Sequence, residues 1–71
     1  MPKFPGLSGA DIVRALQKLG FVVARQFGSH IVMKLGGQGC VVPNHKEVKV
    51  GTVNGILRQA NVASQEFEKV I

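Results

Sequence analysis

The run Phe21-Val22-Val23-Ala24-Arg25-Gln26-Phe27-Gly28-Ser29-His30-Ile31-Val32-Met33-Lys34-Leu35 decides the fold. Its two halves, Phe21 to Phe27 and His30 to Leu35, are rich in aromatic and β-branched residues and hold no helix breaker, as strands require. Only Gly28-Ser29 separates them. Glycine in the first central position of a two-residue loop marks a type II′ hairpin turn, because that position needs positive φ. The turn sets a register, and directly opposed residues share a face. Phe27 is then expected to face His30, Arg25 to face Val32 and Val23 to face Lys34. On the reverse, Gln26 faces Ile31, Ala24 faces Met33 and Val22 faces Leu35. The second set is mostly small and aliphatic and suits a core, whereas the first gathers His30, Arg25 and Lys34 beside Phe27 and Val32.

Upstream, Ser8 and Asp11 form the pattern of a capping box, and Ile12, Ala15, Leu16 and Leu19 follow at helical spacing. Gly20 stands where a left-handed residue ends a helix, so the spacing predicts a first helix at about residues 8–19. Downstream, Gly36-Gly37-Gln38-Gly39 turns the chain into a third strand, Cys40 to Val42, ended by Pro43. Thr52 is expected to cap a helix carrying Val53, Ile56, Leu57 and Ala60, with Asn61 as its left-handed terminator. Ser64 is expected to cap a last turn holding Phe67, Val70 and Ile71. The order is α-β-β-β-α with a short extra C-terminal helix. It predicts an α+β fold: a three-stranded antiparallel sheet with helices packed on one face, residues 1–71 forming one domain.

The 71 residues, 45% of them hydrophobic, have a mean hydropathy of +0.18, which excludes a disordered chain and a multidomain enzyme. A domain this size buries only about 60% of its unfolded surface, so its core is thin and leaves little room for a deep substrate cavity. Nine Lys+Arg against four Asp+Glu give a net charge of +5 and a pI near 10.0, which favours a polyanion bound along an open face. Cys40 is the single cysteine, so no intrachain disulfide forms, and its neighbours Val41 and Val42 suggest a small buried hydrophobe in a reducing cytosol. The start Met1 to Gly6 lacks the apolar run of a signal peptide, and no stretch approaches the roughly 20 apolar residues of a membrane span. The expectation is a soluble cytoplasmic protein with no membrane partner. The histidines, cysteine and acids show no metal-ligand spacing, and the Gly36 to Gly39 run is not a phosphate loop, because no Lys-Ser/Thr follows it. Neither a metal nor a small-molecule cofactor is expected.

A histidine beside Lys and Arg on an open face is what surface cleavage of RNA needs. The cations neutralise phosphate, and imidazole is the side chain that exchanges protons near neutral pH. The residues alone leave two readings of His30, a proton carrier or a strand residue satisfied by a turn carbonyl, and spacing favours the second. His45, in the polar run Pro43-Asn44-His45-Lys46-Glu47, has the same two readings.

Several motifs, taken in order, resemble one family. Gly20-Phe21 follows the first helix, Arg25-Gln26-Phe27-Gly28-Ser29-His30 spans the hairpin, Val41-Val42-Pro43-Asn44-His45 follows the third strand, and Gly51-Thr52 opens Ile56-Leu57-Arg58-Gln59-Ala60. Together, over roughly residues 5–67, they resemble the HicA toxins. The resemblance implies a compact fold like that of double-stranded-RNA-binding domains and mRNA interferase activity, which the absence of metal-ligand spacing leads us to expect to be metal-independent. It also implies inhibition by a HicB-like antitoxin and, for the histidine of the Gly-Ser-His step, here His30, the catalytic role. Arg25, Lys34, Lys46 and Lys49 would then bind RNA phosphates, Phe27 would stack on a base, and Gly28 and Ser29 would border the RNA. The sequence departs from the family pattern at Val50, where proline is usual, at Asn54, where a basic residue is common, and at Asn61, where glycine often stands. The alternative is an RNA-binding module or inactive toxin homologue, which shifts RNA on a gel and leaves it intact.

Overall fold

The computed structural model describes Phe4 and residues 6–71; the Met1 to Lys3 leader and Pro5, part of the start read above, lie outside the described residues. Helix α1 spans Gly9–Lys18. Ser8 precedes it in extended backbone; its Oγ accepts the Asp11 N–H at 3.0 Å and its own N–H donates to Asp11 Oδ2 at 3.0 Å. Both arms of the capping box are made, which satisfies donors that a helix start leaves without partners. The Ser8 backbone bond, and then the Ser8 hydroxyl, hold the Asp11 carboxyl below the usual carboxylate range. At the far end Gly20 takes φ +106°. Its N–H reaches Gln17 O, and the Phe21 N–H reaches Leu16 O, both at 3.0 Å, the paired bonds of a Schellman ending.

Three strands follow, β1 (Val22–Phe27), β2 (His30–Leu35) and β3 (Gln38–Pro43), antiparallel and in chain order. In the β1–β2 turn Gly28 has φ +54° and Ser29 does not have positive φ, as a type II′ turn demands. Phe27 pairs with His30, Gln26 with Ile31 and Arg25 with Val32, as the turn predicts. Beyond Arg25 the register shifts: Val23 pairs with Met33 and Val22 with Lys34, with a β-bulge at Ala24. The expected pairs of Val23 with Lys34, Ala24 with Met33 and Val22 with Leu35 do not form. β1 is an edge strand exposed along its whole length, so nothing packed beneath it enforces strict alternation. The extra residue sets the larger Val23, rather than Ala24, against Met33, which is fully buried.

On β2 and β3 the alternation is clean. Ile31, Met33, Cys40 and Val42 are buried on one face, under Ile12, Ala15 and Leu16 of α1. Helix α2 (Val50–Ala60) adds Val53, Ile56, Leu57 and Ala60 to the same core. Cys40 is one of these core side chains, and burial pushes its thiol up to about 11, which removes it as a nucleophile near neutral pH. The start of α2 corrects the expected Thr52 cap. Lys49 is the N-cap, with no side-chain cap bond, and Thr52 lies inside the first turn. A tertiary anchor fixes this start: Val48 is buried and its N–H donates to Leu7 O at 2.7 Å. Asn61 ends α2 in the left-handed region (φ 59°, ψ 41°), and the Val62 N–H closes back on Leu57 O at 2.9 Å. Helix α3 (Ser64–Glu68) is preceded by Ala63, so Ser64 is its first residue and not its cap. Its Phe67 is buried edge-on against Phe4, ring centroids 5.2 Å apart, closing the core.

Val50 stands at the first helical position of α2, where the N–H has no intrahelical partner and proline is favoured. Lys49 already has the extended backbone (ψ 147°) that a following proline imposes. Val50→Pro is therefore expected to stabilise the fold by about 0.4–1 kcal/mol through the unfolded chain. Thermal unfolding should show Tm raised by about 4–8 °C per kcal/mol; an unchanged or lower Tm would mean that the Val50 N–H or side chain is needed.

Candidate functional site

The face of the sheet turned away from the helices carries the residues singled out in the hairpin. Around the turn, Gln26 Nε2 donates to Gly28 O at 3.0 Å, and the Asn44 N–H donates to Ser29 O at 2.6 Å. His30 follows immediately, exposed, with Phe27 opposite it on β1 and Pro43 opposite it on β3. Phe27 is 57% exposed, so its ring is open to solvent on this face. The Arg25 guanidinium sits 5.4 Å from its ring centroid, within cation–π range. Next along β2, Val32 pairs with Val41 to make an apolar step, and Lys34 pairs with Gly39. The Lys34 stem runs beside Gly39, its Cγ 3.7 Å from where a Cβ would stand, an ordinary van der Waals separation.

Arg25, Phe27, His30 and Lys34 thus share one face, with Gly28 and Ser29 at its tip. Lys46 and Lys49 stand on the β3–α2 connection and not on the sheet. The four acids, Asp11, Glu47, Glu66 and Glu68, all lie outside the strands, and Asp11 pairs with Arg14 on α1 at 2.7 Å. The strand face therefore carries cations without counter-charges, an arrangement suited to an anion that runs along it. Clefts of about 190 Å³ (Leu19, Phe21, Leu35, Val62) and about 330 Å³ (Leu7, Arg14, Val70) open elsewhere, and neither is lined by His30, Arg25 or Lys34. The site is an open surface, fit for a polymer. Among the described residues, no group of three or more His, Cys, Asp or Glu gathers as metal donors, and no helix is long and apolar enough to cross a membrane.

Two supports escape sequence reasoning. Gln59 Oε1 accepts the Val41 N–H at 3.1 Å, so α2 covers a polar group on the outer edge of β3. The Gly9 N–H donates to His45 O at 2.8 Å, and Gly9 packs so closely on Pro43 that a Cβ there would lie 2.2 Å from Pro43 O. Only the presence of glycine at a helix start hinted at this contact.

Fold and surface together define a small basic α+β domain with the α-β-β-β-α order compatible with double-stranded-RNA-binding domains, its bare sheet face cationic and bearing a histidine. No curated protein matches the chain. A family model for the HicA toxin of bacterial toxin–antitoxin systems matches residues 9–62, and the protein belongs to that family.

Proposed function

We propose that this HicA-family toxin is a metal-independent endoribonuclease that cuts mRNA in the cytoplasm and arrests translation, and that a HicB-like antitoxin neutralises it. The observation that carries the reading is the exposure of His30 on a strand face bearing Arg25, Lys34 and Phe27 and no acid. RNA lies along that face, Arg25 and Lys34 hold its phosphates, Lys46 and Lys49 extend the cationic track, and Phe27 stacks on a base. His30 moves a proton while the RNA 2′-OH attacks the adjacent phosphorus, which explains a preference for RNA over DNA. These parts need no metal. An antitoxin that is acidic where it meets this face would be steered to it by charge and would cover His30.

The test is to incubate the purified protein with single-stranded RNA in EDTA and analyse the ends. Shortened RNA with 2′,3′-cyclic phosphate and 5′-hydroxyl ends is expected. RNA that shifts on a gel and stays intact would make the protein a binding module, and cleavage lost in EDTA would overturn metal independence.

A further inference from the structure

The ladder between β2 and β3 runs past the last assigned pair. His30 pairs with Pro43, and the 2.6 Å bond from the Asn44 N–H to Ser29 O forms the next rung, Ser29 opposite Asn44. Hydrogen-bonded and non-hydrogen-bonded pairs alternate in an antiparallel ladder, so the His30–Pro43 pair is a non-bonded one and Pro43, lacking an N–H, costs no rung. The Val41 N–H, in the equivalent position, points off the edge to Gln59 as this pattern requires. His45 follows Asn44 directly, so it stands beside the hairpin turn whose next residue is His30. The position is held from the other side as well, since His45 O accepts the Gly9 N–H at 2.8 Å. Both histidines are exposed, and the turn beside them is open, since a Cβ at Gly28 would meet nothing within 4 Å.

The geometry points to His45 as the second proton carrier of the cleavage, paired with His30 across one phosphodiester; the inference rests on the RNA-cleaving reading above. One imidazole takes the 2′-OH proton as the 2′ oxygen forms its bond to phosphorus. The P–O5′ bond breaks, and the departing 5′ oxygen takes a proton from the other histidine, present as imidazolium. The products are a 2′,3′-cyclic phosphate and a 5′-hydroxyl, and water returns each imidazole to its starting form. A single histidine has no partner for the second transfer, whereas a pair flanking the phosphorus does.

The experiment compares wild-type protein, His30→Ala and His45→Ala on two RNAs, one ordinary and one with sulfur at the bridging 5′ position, whose thiolate leaves without a proton. Uncleavable 2′-O-methyl RNA reports binding, and thermal unfolding reports the fold. The expected result is that His45→Ala, folded and binding normally, loses about 10²–10⁴-fold in rate on ordinary RNA. The sulfur substrate then restores one of the two variants and leaves the other slow. A His45→Ala rate within a few-fold of wild type, or rescue of both variants or of neither, overturns the pairing. Wild-type protein that binds ordinary RNA and leaves it whole overturns the cleavage reading, and the pairing with it.

Discussion

In His30→Ala, cleavage of single-stranded RNA is expected to fall by about 10²–10⁴-fold, the usual contribution of a positioned acid or base, while the domain stays folded. The two halves of this expectation come from different parts of the structure. His30 is exposed on β2, where its backbone makes the hairpin rungs and its side chain fills no core space, so removing the imidazole should change stability by no more than about 0.5 kcal/mol. The groups that hold RNA in this reading, Arg25, Lys34 and Phe27, remain in place, so binding to 2′-O-methyl RNA should persist and the loss should fall on kcat. His30→Gln should be as slow as His30→Ala, since an amide keeps bulk and hydrogen bonding and carries no proton across. A variant that cuts within about tenfold of wild type would remove His30 from the chemistry. A loss that tracks a lowered Tm or weakened RNA binding would make it a structural residue.

The hairpin was legible because Gly28-Ser29 admits few turns and each turn admits one register. That logic held for as long as the turn controlled the ladder, through Phe27, Gln26 and Arg25, and failed at Ala24. Val22, Val23 and Ala24 are all apolar, so they offer no period-two signal, and an exposed edge strand imposes none. The bulge leaves His30, Arg25 and Phe27 in place, because they lie on its turn side. It did change what stands across from Lys34, Val22 in place of Val23. The start of α2 differs from the expected one for another reason. Ser8 caps α1 through local bonds that its own sequence encodes, whereas α2 begins where buried Val48 is bonded to Leu7, some forty residues away in the chain, and a Thr in the right place could not reveal that. The same limit hid the clamp on the His45 loop, which depends on Gly9 meeting Pro43 in space.

That clamp sets the largest stability effect expected of a small substitution. Glycine to alanine in a helix normally stabilises by about 0.5–1 kcal/mol, because alanine gives up less backbone freedom on folding. Gly55, in the interior of α2 with open space around it, should follow this rule, so Gly55→Ala is expected to raise Tm. Gly9→Ala should do the reverse. Its Cβ would lie 2.2 Å from Pro43 O and 2.8 Å from Asn44 Cα, backbone atoms that cannot rotate away as a side-chain tip would. Helix α1 and the Pro43–His45 segment must part, and overpacking of this kind costs about 1–3 kcal/mol even where the core adjusts. A domain of this size has only about 3–5 kcal/mol to lose, so Tm should fall by roughly 10 °C. The separation also breaks the bond from the Gly9 N–H to His45 O and frees the loop that carries His45, the second proton carrier proposed above. Below its own Tm, Gly9→Ala should therefore cut RNA more slowly than wild type while Gly55→Ala cuts at the wild-type rate. Thermal unfolding of the two variants side by side decides the matter: a Gly9→Ala protein as stable as Gly55→Ala would show that the helix start and the end of β3 are not in close contact.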